Sequence, residues 1–289
     1  MERTKDAKNS CMIVDSLESV RHIPESISRV RLRDGRVLTR YLNGSVNGIQ
    51  VWGGFVQDPA FIDYGVTIGR GSVVLKEVRI RSGTRIGENV TLMDGSYIDS
   101  NVIISNEVSI GREAWIGHGV QIDSSVRIGE RVRIDDLSLI YNNVRIADKA
   151  TIGYGNTVRE DAAIGRFTHT ANRVTIANSV DIGESVTLGE MAIINRMAVV
   201  EDHVQVGAGS HIGRGSHLKQ YSSVGNCSSI GDGSIIMSYA DIGDNVIVRQ
   251  ESIIREMVEI QDGDMIEYGM LVTEGARWLL RHDGVSKRG

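Results

Sequence analysis

The sequence predicts an all-β chain wound as a parallel β-helix, and three periodic features predict it. An aliphatic residue recurs at every sixth position from Ile62 to Ile266 in one register, and only Thr170 departs from it. A small or β-branched residue sits two positions before each aliphatic, as at Val66, Ser72, Val78, Thr84 and Val90, and later at Ala192, Ala198, Ser210 and Ser216. Three positions after the aliphatic the chain favours Gly or Asn, as at Gly65, Gly71, Gly83, Asn89, Gly95 and Asn101.

Each feature has a geometric reading. An inward pair at i−2 and i around an outward i−1 is the two-residue alternation of a β-strand. A spacing of six cannot be helical, because 3.6-residue turns would smear the aliphatics around the cylinder. Gly and Asn tolerate positive φ, so every hexad reads as a short strand followed by a tight corner. Three hexads close a triangular coil, and stacked coils bury a continuous column of Ile and Val. The span from Ile62 to Ile266 holds about 11–12 such coils.

Segments such as Val66-Thr-Ile-Gly69, Val126-Arg-Ile-Gly129 and Ser228-Ser-Ile-Gly231 resemble the hexapeptide repeat of bacterial acyltransferases. The resemblance covers roughly 70% of the chain. It implies a left-handed parallel β-helix, usually trimeric. It also implies a corner histidine acting as general base, with acyl-CoA or an acyl-carrier protein as donor, bound between subunits.

The elements outside the repeat come next. Residues 1–55 are expected to form an N-terminal segment and a β-hairpin cap, with the helix over 56–272 and a C-terminal cap and tail over 273–289. A short amphipathic segment is expected around Met12 to Ile23, stopped by Pro24. Arg29 to Leu42 reads as a hairpin, since Val30 and Leu32 alternate with arginines and Asp34-Gly35 is a strong two-residue turn. Its arginines (Arg29, Arg31, Arg33, Arg36 and Arg40) read as a solvated face. Gly53-Gly54-Phe55-Val56 leads into the first coil and resembles the entry of bacterial hexapeptide proteins with a small β-cap. At the far end Trp278 and Leu279 are expected to lid the last coil, because an open coil exposes unpaired strands.

Composition narrows the function classes. A formal net charge of −5 points away from nucleic acid and anionic membranes as partners. No apolar run approaches transmembrane length, and Met1-Glu-Arg-Thr-Lys-Asp6 does not read as a signal peptide. With only Cys11 and Cys227, no disulfide framework is implied, and a cytoplasmic location is expected. Aromatic content of 5% fits a narrow prism that admits Ile and Val but few rings.

Ile116-Gly-His-Gly-Val-Gln-Ile122 resembles the stretch of the lipid A acyltransferases that carries their histidine, and by that resemblance His118 is the candidate general base. No covalently bound cofactor is expected; acyl-CoA is the implied co-substrate. His169, His211 and His217 fall on three different faces when counted modulo eighteen, so they cannot converge within one subunit. Their spacings also miss the pattern of the zinc-binding γ-class carbonic anhydrases, and no metal is expected. Thr170, with Asn156 nearby, puts a hydroxyl in the aliphatic column, which reads as either a hydrogen-bonded core group or a pocket.

The outward i−1 positions carry stripes. Ile103, Leu139, Ile193, Ile247 and Met265 read as an oligomer interface, and a homotrimer is the expected assembly. Phe61, Tyr97 and Trp115 mark another face, either a subunit contact or a patch covered by the N-terminal region. Two functional readings follow. One is transfer of an acyl group from acyl-CoA to an unknown acceptor. The other is a non-catalytic trimeric scaffold or binding module, favoured by a repeat with no extruded loop.

Overall fold

The computed structural model describes residues 11–14, 17, 20, 23, 28–46 and 49–273. The lid assigned to Trp278 and Leu279 lies outside them. The chain is all-β: four longer strands precede a run of two-residue strands from Phe61–Ile62 to Leu271–Val272, one starting every six residues. Three strands make a coil, and the run amounts to about 12 turns of a parallel β-solenoid. Two compact units divide it, Met1–Leu137 and Ser138–Gly289.

The first unit opens with strands β1 (Cys11–Val14), β2 (Arg29–Leu32), β3 (Val37–Val46) and β4 (Ile49–Gln57). Strands β2 and β3 form the expected hairpin, with Val30 opposite Leu38, and Gly35 takes the positive φ of +92° that its turn requires. Cys11–Val14, at the start of the expected amphipathic segment, is a strand parallel to β2. Strand β4 then joins the solenoid directly, pairing in parallel with Val73–Val74. Gly54 is required at that junction, because a Cβ there would collide with the Ser72 carbonyl.

Val20, Val30, Leu32, Leu38 and Phe55 bury Val73 and Leu75 of the first coil. The described residues of the N-terminal segment therefore cover the Val73 face, and among them none covers Phe61, which is 55% exposed. The hairpin arginines are not a uniform solvated face. Arg29, Arg31 and Arg33 are exposed, but Arg40 is buried with its guanidinium 4.5 Å from the Phe55 ring, and Arg36 pairs with Asp34.

Within each unit the coils obey one rule. The register aliphatics are buried, as at Ile98, Ile116, Ile194 and Ile230, each worth roughly 1.5–3 kcal/mol of apolar burial. Outward residues donate their N–H to the next coil, as Tyr97 does to the Ala114 carbonyl at 2.8 Å. Inward serines stay satisfied by bonding a carbonyl fifteen residues on, as in Ser216 to Gly231 at 2.9 Å.

The corners depart from the sequence rule. Every corner residue takes positive φ, but many are neither Gly nor Asn: Leu137, Phe167, Met191, Tyr221 and Tyr239 all sit near +57° to +61°. A bulky residue there costs about 1–2 kcal/mol. Coil-to-coil hydrogen bonding imposes the conformation regardless, since each such residue also donates its N–H to a neighbouring coil.

The fault at Thr170 is a core device. In the second unit, Thr170 is fully buried and accepts from Asn156 Nδ2 at 2.5 Å, while Asn156 Oδ1 accepts from Val174 N at 2.7 Å. Thr168 Oγ1 donates to the Gly183 carbonyl at 2.8 Å. The two departures from apolarity satisfy each other, as buried polar groups must.

Candidate functional site

His118 lies on a corner of the first unit, two residues beyond the buried Ile116. Gly117 makes the corner possible: any side chain there would strike the Asp136 carboxylate and backbone. With that space open, Asp136 Oδ1 accepts the His118 N–H at 2.8 Å, and the His118 carbonyl accepts from Leu137 N at 2.9 Å. The ring is exposed, and its Nδ1 lies 2.9 Å from Ser100 Oγ, one coil away. Ser100 Oγ in turn donates to Asp99 Oδ1 at 3.2 Å, and Ser100 N donates to the same oxygen at 2.6 Å. The Ser100 hydroxyl has one proton and two acceptors in reach: directed at Asp99 it pairs with the His118 tautomer protonated on Nδ1, and directed at the imidazole it pairs with the tautomer protonated on Nε2.

The strand leading into this corner carries a stacked ladder. Phe61, Arg79, Tyr97, Trp115 and Arg133 are successive partners on one sheet of the unit. Tyr97 and Trp115 are parallel with centroids 6.2 Å apart, and the Arg133 guanidinium lies 4.3 Å from the Trp115 ring. Such cation–π contacts contribute about 0.5–1 kcal/mol at exposed sites. A groove of about 510 Å³ lies on another sheet, lined by Leu17, Met93, Glu107 and Arg127 among others, and does not include His118.

The second unit holds a polar cluster that face counting by histidine alone overlooks. Glu201 Oε1 lies 2.7 Å from His217 Nε2 and 2.8 Å from Lys219 Nζ, and Glu201 Oε2 accepts from Gln220 N at 3.2 Å. These side chains are about 30% exposed. Burial raises the Glu201 carboxyl, but the hydrogen bonds from Lys219 and His217 outweigh it and hold the group below its ordinary value. His217 stands between Val199 and Ile235 on its sheet. The signal was available in offsets of 16 and 18 residues from Glu201, the diagonal and direct neighbours of a coil.

The remaining candidates disperse. His169, His211 and His217 fall on three different sheets. Among the described residues no three His, Cys, Asp or Glu side chains group as a metal site, and no helix is long and apolar enough to cross a membrane. Of the interface residues, Ile103 in the first unit is exposed. In the second unit Ile193, Ile247 and Met265 are exposed and Leu139 is half-buried. Their stripe is broken there by Thr157, Thr175, His211 and Ser229. Only Ile247 and Met265 are adjacent.

Comparison with known proteins bears on these features. The family model described as the GMPPB C-terminal domain matches residues 98–193, a third of the chain. No curated protein matches it. Among solved structures, PerB from Caulobacter crescentus, in complex with CoA and GDP-perosamine, is 25% identical over 39% of this chain, with a TM-score of 0.37. This chain covers only 54% of PerB. The acetyltransferase domain of PglB from Neisseria gonorrhoeae FA1090, in complex with acetyl coenzyme A, is 16% identical over 51% of this chain and 94% of that one, with a TM-score of 0.36. LpxA from Bacteroides fragilis 9343, a UDP-N-acetylglucosamine acyltransferase, is 22% identical over 58% and 69%, with a TM-score of 0.32. The matched segment takes in the Asp99–Ser100–His118 corner, and around it register and strand pairing define the chain as a hexapeptide-repeat parallel β-solenoid.

Proposed function

We propose that this chain is an acyltransferase-like hexapeptide protein in which His118 is the general base and acyl-CoA the donor. The observation that supports the reading is the Asp99–Ser100–His118 cluster at an accessible corner; in the tautomer protonated on Nδ1, Nε2 is the proton acceptor. In the proposed step Nε2 takes the proton from an acceptor hydroxyl or amine as that atom forms its bond to the thioester carbonyl carbon. The tetrahedral intermediate collapses, the C–S bond breaks, and the protonated His118 returns the proton to the departing CoA sulfur. The Tyr97–Trp115–Arg133 ladder offers flat and cationic surface on the approach to the corner. An exposed His118 needs a second wall, and a homotrimer seated on residues such as Ile103 would supply one.

The rival reading, a non-catalytic trimeric scaffold or binding module, is favoured by one observation. Strands start every six residues from Phe61 to Leu271 with no loop extruded among them. A thermal-shift titration of the intact protein with CoA and acetyl-CoA separates the two. A concentration-dependent rise in Tm is expected of the enzyme. An unchanged Tm at millimolar CoA would leave the scaffold standing.

A further inference from the structure

One corner column of the second unit reads Lys149, Phe167, Ser185, His203, Tyr221 and Tyr239, each one coil from the next and each at positive φ. Aromatic rings dominate it and stack. His203 and Tyr221 are nearly parallel with centroids 4.7 Å apart, and Tyr221 and Tyr239 follow at 5.1 Å. Phe167 stands on the other side of Ser185, with Lys149 Nζ 4.9 Å and the Arg166 guanidinium 5.6 Å from its ring centre. Ser185 is the one residue between the rings of Phe167 and His203. Coils repeat at about 4.8 Å, so these two positions lie about 9.6 Å apart, the room that one further ring occupies in a stack.

We propose that the Ser185 notch is a binding slot for a planar nitrogen heteroaromatic ring of the purine class, held between Phe167 and His203. Three features fit that occupant. The stack is already parallel on the His203 side, so the inserted ring meets a pre-oriented face. The half-buried Ser185 hydroxyl and the exposed His169, Thr187 and Gln205 on the adjoining sheet supply polar groups at the ring's edge. Lys149 adds positive charge beyond Phe167, and Arg166 there is shared with Asp148 at 3.9 Å, so a phosphorylated purine gains chiefly from Lys149. Phe167, His203 and the two tyrosines are all exposed, so the slot opens to solvent without rearrangement.

The test is NMR titration of the full chain with adenosine and with AMP, reading the purine H2 and H8 shifts. Upfield ring-current shifts that saturate are expected for both, with AMP binding more tightly. Ser185→Phe puts the protein's own ring in the notch; a higher Tm and loss of the purine shifts are expected. Phe167→Leu keeps the volume but removes one wall, and about tenfold weaker binding is expected, the loss of one stacking partner. No upfield shift with the native chain at millimolar purine would overturn the proposal. So would purine binding that survives Ser185→Phe unchanged.

Discussion

The two histidine sites differ in how their imidazoles are held, and the difference separates an open ring from a braced one. His118 is exposed, bonded through Nδ1 to a serine that a carboxylate polarises, with Nε2 open. His217 directs Nε2 at Glu201, which it shares with Lys219, between two aliphatic neighbours. The first arrangement leaves an imidazole nitrogen open at the surface. The second closes a three-membered hydrogen-bonded network across neighbouring coils, which ties those coils together. A regular repeat can still host both, one at a corner and one on a sheet face.

The largest effect that could break this comparison is at His118. Replacing it with alanine is expected to lower the acyl-transfer rate by at least about 100-fold, the usual contribution of a general base, with the melting temperature unchanged. His217→Ala is expected to leave the rate within about twofold and to lower stability instead. Equal losses of activity in both variants, measured as CoA thiol release, would erase the distinction.

Thr170→Val comes next and probes the core of the second unit. It removes the partner of Asn156 Nδ2 in a fully buried place, so a loss of about 2 kcal/mol in urea unfolding is expected, with activity retained. A stabilised Thr170→Val protein would contradict the account of the fault as a satisfied pair.

Ser100→Ala sharpens the His118 side. It removes the hydroxyl between Asp99 and the imidazole and leaves Nδ1 to water. A drop of about tenfold in kcat with little change in KM is expected. Ser100→Thr keeps the hydroxyl and should recover most of the rate. Failure of that rescue would mean that Ser100 only supports the corner.

The smallest effect concerns Glu201. Its folded carboxyl sits below the ordinary value of 4.5, so the stabilisation is fully present above pH 4.5 and is lost as pH falls through the lowered folded value. Glu201→Gln is expected to cost about 1 kcal/mol at neutral pH and to flatten this acid loss. Chemical denaturation at pH 7 and pH 3 measures both terms. A variant whose stability falls with acid as steeply as the native protein's would remove Glu201 from the network.

Much of this molecule was legible in its sequence, and the parts that were not have physical reasons. The Ile62-to-Ile266 register fixed strands, corners and core, because side-chain direction alternates strictly along a strand. The hairpin was legible from Asp34-Gly35, but its loop is the three residues Arg33–Gly35 and not two, with Leu32 N bonded to the Arg36 carbonyl and Gly35 N to the Leu32 carbonyl. Corner conformation was legible only where Gly or Asn marked it. At Leu137 or Tyr221 hydrogen bonding between coils overrides residue preference. The hairpin's seat on Val73 and Leu75 was hidden, since the sequence shows that a cap is needed but not which face it covers. Face counting placed His217 on its sheet, yet its bond to Glu201 runs along a 16-residue diagonal that counting by histidine does not test. His118 could be picked by its motif, whereas Asp99 and Ser100 became visible only when stacking set one coil against the next.

The most direct test of the central claim is imidazole rescue of the His118→Ala protein, followed by CoA thiol release from acetyl-CoA across a panel of amine and hydroxyl acceptors. The account expects native turnover, a silent variant, and a rate restored in proportion to added imidazole. A His118→Ala protein that turns over at the native rate without imidazole would contradict it.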